Sequence, residues 1–380
     1  MRFDTRLVRI GQDPEPGTGD VVPPLHLAVT YERDMQDPPR YFYGRGENPT
    51  REDLERALAA VEDAPFATVY ASGQAAAMTA VSVLRPGQRL LSSDDVYGGT
   101  HTLFAMLTRY DIRVDYADLS DPAVVEQVLG DDGDDVAMVW VESPSNPLLK
   151  VVDLADVCRR AHRRGALVVV DNTLAGPVLQ QPLALGADVS LYSTTKSVAG
   201  HLDVLGGALV YHDPALHDSF LAYRTTAGNM AGPLDCFLVH RGLKTMSLRV
   251  ARQVDNAEAV VAALRAEPTV GRIHYPGLPG HPGHEVARRQ MTRPGSLVSF
   301  EYLHDPEKLM SRVGLFASAV SLGGVRSLIE CPALMTHRPV PREVRLRLGV
   351  TDNLIRLSLG IEDPADLVTD LVTALRAGRP

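Results

Sequence analysis

Several short motifs place polar or reactive side chains directly after an apolar run. Val189-Ser190-Leu191-Tyr192 leads into Ser193-Thr194-Thr195-Lys196. A lysine amine in a partly desolvated pocket has a lowered pKa and can form a Schiff base with an aldehyde. Val168-Val169-Val170 leads into Asp171-Asn172-Thr173, and Ala67–Ala71 leads into Ser72-Gly73-Gln74. Glycine permits close backbone approach, and the free N–H groups of a helix start bind anions. The run Arg89–Ser93 enters Asp94-Asp95-Val96-Tyr97-Gly98-Gly99, which presents an aromatic ring on a flexible turn. Val136–Val141 enters Glu142-Ser143-Pro144-Ser145-Asn146-Pro147, whose prolines fix a turn with Asn146 at its tip. Taken singly, each has a plainer reading: a solvated lysine, a turn aspartate, a serine N-cap.

The elements that must position these groups follow from the pattern. Continuous apolar runs at 67–71, 89–93, 113–117, 136–141, 166–170 and 189–192 alternate with helical stretches such as 51–62. Such runs predict strands buried on both faces of a mostly parallel sheet flanked by helices. Ligands of such sheets bind beyond the carboxyl ends of the strands, where every motif above falls. From about residue 247 a helix over 250–266, strand-like runs including 296–302 and 354–359, and a helix over 365–375 predict a smaller α+β domain. The expected organisation is an arm over 1–47, rich in Pro, Gly and Asp, an α/β domain over 48–246 and a C-terminal α+β domain over 247–380.

Composition narrows the function classes. The chain has 380 residues, 45% of them hydrophobic and 22% charged, as soluble globular proteins do. Its net charge of −9 and lack of a basic stripe argue against nucleic acid. No apolar run is long enough to span a membrane, and Met1–Gly11 lacks a signal peptide's apolar core, so a cytoplasmic protein is expected. Cys158, Cys236 and Cys331 are too few and scattered for a disulfide framework or a closed zinc site. Among the 38 basic residues only Lys150, Lys196, Lys244 and Lys308 are lysines, an arginine-heavy bias typical of actinobacteria. Amine chemistry therefore has four candidates.

An anion cradle, a flat ring, a carboxylate, an amide and a lysine on one sheet edge match the needs of pyridoxal 5′-phosphate. Its phosphate takes a helix N-terminus and hydroxyls, its ring a stacking partner, its pyridinium a carboxylate and its aldehyde a lysine.

The sequence resembles the Cys/Met-metabolism family of pyridoxal phosphate enzymes, which includes cystathionine γ-lyase, γ-synthase and β-lyase and methionine γ-lyase. The resemblance rests on YFYGRGENPTR (41–51), ASGQAA (71–76), DDVYGGT (94–100), ESPSNPLLKVVD (142–153), VVDNT (169–173), LYSTTKSVAGHLDVLGG (191–207), SLGGVRSLIECPALMTH (321–337) and LIRLSLGIED (354–363). The wording is most similar to an actinobacterial branch that includes the γ-lyase-like enzyme of the calicheamicin pathway. The resemblance implies a type I pyridoxal phosphate fold and a homotetramer of two active dimers. It implies that Lys196 carries the Schiff base and shuttles protons, that Asp171 holds the pyridinium, and that Tyr97 stacks on the ring. Ser72, Gly73, Gln74, Ser193 and Thr195 would cradle the phosphate, joined by Tyr43 and Arg45 from the neighbouring subunit. Asn146 and Arg356 would fix the substrate carboxylate, with Ser327 nearby. The implied activity is γ-elimination on a sulfur amino acid such as L-cystathionine. γ-Replacement on an O-acylhomoserine and methionine γ-lyase activity are the alternatives.

The sequence departs from the family at Arg326, where cystathionine-processing members usually carry glutamate. A reversed charge there would favour a distal carboxylate on the substrate or disfavour a distal ammonium. Gly99 stands where methionine γ-lyases tend to carry cysteine. Other readings are weaker. Ser193-x-x-Lys196 fits a penicillin-binding hydrolase, but no Ser-Asp-Asn accompanies it. His274, His281, His284 and Glu285 lack the HExxH spacing, so no metal is expected. No GxGxxG follows a strand. A non-catalytic, cofactor-binding homologue is the last alternative.

Overall fold

The computed structural model describes residues 1–14, 17–37, 40–130, 135–338 and 340–377. The apolar runs form β1 (Phe66–Tyr70), β2 (Arg89–Ser93), β3 (Arg113–Ala117), β4 (Met138–Glu142), β5 (Leu167–Asp171) and β6 (Val189–Tyr192). A strand not expected from the sequence, β7 (Gly207–Tyr211), completes a seven-stranded sheet of order β1-β7-β6-β5-β4-β2-β3. β7 runs antiparallel to both neighbours, and the other pairs are parallel. Alternate residues of β5 serve opposite faces: Val169 joins one core, Val168 and Val170 the other. β3 does not fit the doubly buried expectation. It is one of the two edge strands, and unlike β1 at the other edge its residues are only partly covered.

The chain then forms β8 (Val270–His274), β9 (Leu297–Tyr302), β10 (Ala317–Ser318), β11 (Leu328–Glu330) and β12 (Leu354–Ser358). They make a second sheet of order β10-β11-β12-β9-β8, antiparallel except for β10 with β11. The helix Met246–Leu264 joins the two sheets. Met246, Val250 and Val254 pack in the large core, and Val260, Val261 and Leu264 in the small one. The expected boundary between 246 and 247 falls in the first turn of this shared helix.

Capping fixes where helices begin. Asn48 accepts from the Arg51 N–H ahead of Pro49, and Asp363 accepts from the Ala365 N–H ahead of Pro364. The arm holds more structure than its composition suggests. Phe3–Arg9 is a helix whose Leu7 is buried in the large core, because one apolar side chain per turn suffices to dock it.

Candidate active site

The first half of the site lies on the large sheet. Asp171 ends β5 and is nearly buried; its Oδ1 accepts the Thr173 N–H at 3.0 Å. Glu142 ends β4, in register beside Asp171. Its Oε2 accepts the Tyr97 N–H at 2.7 Å, and its Oε1, buried, has no hydrogen-bond partner among the described residues. Burial, then the neighbouring Asp171, pushes the Glu142 carboxyl well above the usual range, and burial raises Asp171 too. Two buried acids side by side cannot both ionise without a cation. A pyridinium nitrogen at Asp171 would supply one. Tyr97 is 46% exposed, so its ring is open to a stacking partner.

The anion cradle starts at Ser72, which caps the helix Gly73–Val81 by accepting the Ala75 N–H at 3.1 Å. The next two N–H groups, of Gly73 and Gln74, point out of the helix start without an intrahelical acceptor. A Cβ on Gly73 would lie 2.9 Å from the Ser193 Cβ, so glycine is what lets the helix start meet the turn after β6. The Ser193 N–H donates to the Thr173 hydroxyl at 2.9 Å, which ties the Asp171 turn to the same place. The Thr195 hydroxyl exchanges hydrogen bonds with the Gly206 backbone and closes the loop leading to β7. Gln74 lies within 3.4 Å of the Thr100 hydroxyl, facing the Tyr97 helix.

The second half comes from the small sheet. The Lys196 Nζ donates to Ser321 Oγ at 2.8 Å. Burial, then the nearby Arg356 cation, lowers its pKa to about 8. Arg356 projects from β12, 2% exposed. Its Nη1 donates to Asn146 Oδ1 at 2.9 Å, and its Nη2 to the Ser321 carbonyl at 2.7 Å. Ser321 sits at φ 95°, a region non-glycine residues avoid at a cost of about 1–3 kcal/mol. Such strain persists where contacts on both sides fix the residue, as Lys196 and Arg356 do here.

Asp171, Tyr97, Ser72, Gly73, Gln74, Ser193 and Thr195 thus lie at or just beyond strand ends of the large sheet, while Lys196 and Arg356 meet at Ser321 and Arg356 reaches Asn146. The structure corrects Ser327. That hydroxyl is buried, donates to Glu362 Oε2 at 2.8 Å and accepts the Gly360 N–H at 2.8 Å, so it is engaged in holding a turn. Arg326 is exposed, and no hydrogen bond or ion pair among the described residues involves it. The N–H of its neighbour Val325 donates to the Gly200 carbonyl at 2.9 Å, and the Gly200 N–H donates to the Lys196 carbonyl at 2.8 Å, so this segment lies against the lysine loop. The hydroxyl that meets the lysine belongs to Ser321, which sequence reasoning missed although it opens the quoted SLGG motif. Tyr43 and Arg45 lie on the arm, where Arg45 Nη1 donates to the Thr225 carbonyl at 2.8 Å and Arg45 Cζ stands 5.5 Å from the centre of the Tyr43 ring. Among the histidines of the 274–285 loop, His284 Nδ1 is 2.8 Å from the Pro276 carbonyl and His281 Nδ1 accepts the Gly283 N–H at 3.1 Å, so both are structural.

The profile of the family described as Cys/Met metabolism PLP-dependent enzyme matches residues 4–376. The chain belongs to that family. It is 40% identical to cystathionine gamma-lyase of Bos taurus over 100% of this chain and 95% of the relative. It is 44% identical to cystathionine gamma-synthase of Mycobacterium tuberculosis over 98% and 96%. Among solved structures it resembles CalE6 from Micromonospora echinospora, at 64% identity, TM-score 0.96 and 99% coverage of both chains. That structure is described as a cystathionine γ-lyase, and an apo structure of CalE6, 63% identical with a TM-score of 0.93, as a methionine gamma lyase. The chain is thus a type I pyridoxal phosphate enzyme of carbon–sulfur chemistry. No helix among the described residues is long and apolar enough to cross a membrane.

Proposed function

We propose that the enzyme cleaves the γ-carbon–sulfur bond of a sulfur amino acid such as L-cystathionine. The net reaction consumes one water and releases cysteine, 2-oxobutanoate and ammonia. The observation that carries this reading is the lysine held at a lowered pKa between a serine hydroxyl and a buried arginine. An amine poised near neutrality can both take and return a proton. Bound pyridoxal phosphate supplies the electron sink. Ser72, Gly73, Gln74, Ser193 and Thr195 would hold its phosphate, Asp171 its pyridinium, and Tyr97 the face of its ring. Arg356 and Asn146 would orient the substrate carboxylate so that the α-hydrogen faces Lys196. Lys196 Nζ would take the α-proton and then move a proton at the β-carbon, which lets the γ-thiolate leave. Ser321 Oγ steadies Nζ between these tasks.

Two further points belong to this proposal. The first is a homotetramer of two active dimers, in which Tyr43 and Arg45 reach the neighbouring subunit's phosphate site. Its support is the arm itself: Val21, Val29, Phe42 and Tyr43 are exposed apolar residues, as is Leu205 in the loop after Lys196. The second is a cytoplasmic setting, supported by three cysteines that are all buried and unpaired.

The test is to incubate purified protein with L-cystathionine, L-methionine and O-succinyl-L-homoserine with and without cysteine. 2-Oxobutanoate with a free thiol supports γ-elimination. Cystathionine from the acylhomoserine would favour γ-replacement, and pyruvate with homocysteine would contradict both.

A further inference from the structure

Arg356 and Glu330 face each other across β12 and β11 as a direct cross-strand pair. Glu330 is completely buried, and its Oε1 lies 2.8 Å from Arg356 Nη1. The Thr336 hydroxyl donates to the same Oε1 at 2.9 Å, and His337 Nδ1 is 3.1 Å from that hydroxyl. Glu330 Oε2 and Arg356 Nε are both buried and have no hydrogen-bond partner among the described residues. A guanidinium has five N–H donors. Glu330 and Asn146 engage Nη1 and the Ser321 carbonyl engages Nη2, which leaves Nε–H and one Nη2–H. A carboxylate is recognised by two such neighbouring donors.

The pair also acts on the lysine. The charged groups bearing on Lys196 are Arg356, which repels its ammonium, and Glu330, which favours it. Those bearing on Glu330 are Arg356 and Lys196. His337, behind Thr336, is held to about 4 by burial and is neutral where Lys196 titrates. With Arg356 in place, an apolar residue at 330 would leave its guanidinium buried without a counter-ion.

We propose that Glu330 is a positioning residue that turns the free Nε edge of Arg356 toward the substrate carboxylate and offsets the Arg356 charge felt by Lys196. The first part rests on the reading of Arg356 under the proposed function; the second is independent of it.

The test uses Glu330→Gln, which keeps the shape and removes the charge. In apoprotein, amine labelling of Lys196 against pH, read by mass spectrometry, should show a midpoint lowered by about half a pH unit or more. In holoenzyme the pH titration of the cofactor's visible absorbance should shift in the same direction. KM for the amino acid should not rise, because the cation that binds it is less neutralised. An unmoved midpoint in folded Glu330→Gln would overturn the proposal and leave an ordinary structural ion pair. If Glu330→Gln does not fold, Thr336→Val removes only the hydroxyl that fixes Oε1. KM should then rise about threefold with little change in kcat, and an unchanged KM would overturn the proposal. A shifted lysine midpoint in an enzyme inactive on every sulfur amino acid would sink the functional reading and spare the electrostatic role of Glu330.

Discussion

The two halves of the active site are built in different ways. On the large sheet, each ligand-binding group follows its own strand, and local motifs decide its place. Asp171 ends β5, Glu142 ends β4, and Ser193 to Lys196 form the turn after β6. On the small sheet the groups owe their positions to partners far away in sequence. Arg356 meets Asn146 and the Ser321 carbonyl, and faces Glu330 only because β11 and β12 pair in one register. Under the proposed function the first half would hold the cofactor and the second the substrate, and a small change in the second half's register would change what it reads.

The largest expected effect breaks the junction of the halves. Lys196→Ala should lower turnover at least about 10³-fold, since it removes the group that moves protons. Steady-state release of 2-oxobutanoate measures it, and retention of more than a tenth of the activity would sink the assignment. Next comes the small-sheet half alone. Arg356→Lys keeps a charge but loses the planar fork, and should raise KM about 100-fold while cofactor binding is unchanged. A loss of cofactor instead would show that the two halves are not separable. The large-sheet half should answer in the opposite sense. Gly73→Ala places a Cβ 2.9 Å from the Ser193 Cβ, and should weaken cofactor binding about tenfold with KM little altered. Absorbance titration of apoprotein with pyridoxal phosphate reads this directly.

The smallest effect is thermal. The folded pKa of Glu142 is raised above its unfolded value, near 4.3. The stability tied to its neutral form is therefore complete below that value and is lost as pH rises through the folded pKa. Glu142→Gln keeps the acceptor for the Tyr97 N–H and cannot ionise. Its apoprotein should melt about 2 °C or more above wild type at pH 8, and the gap should close toward pH 4. A gap independent of pH would mean that Glu142 is ionised at neutral pH.

The same division explains what the sequence disclosed. The strand-and-helix alternation located six of the seven large-sheet strands, because buried parallel strands write continuous apolar runs. β7 escaped notice because Gly207–Tyr211 follows the catalytic loop closely and reads as its continuation. The residues proposed to hold the cofactor were legible for the same reason as their strands. Ser321 was not, because its place beside Lys196 depends on a positive φ and on contacts 125 and 35 residues away. Nothing in the local pattern separates it from Ser327, six positions on, whose hydroxyl folds back onto Glu362. Arg326 drew attention through its charge, and the structure leaves its side chain exposed on a segment that bonds to the lysine loop. Glu330 was invisible as a functional group because a glutamate in an apolar run is legible only once its arginine is found opposite.

The most direct test of this account compares Ser321→Gly with Arg326→Ala in steady-state cleavage of L-cystathionine. Glycine accepts the positive φ and removes only the hydroxyl that meets Lys196. The account predicts a fall in kcat of about tenfold for Ser321→Gly and a change within about twofold for Arg326→Ala. A strong response at Arg326 with none at Ser321 would contradict it, and would return substrate selection to the exposed arginine.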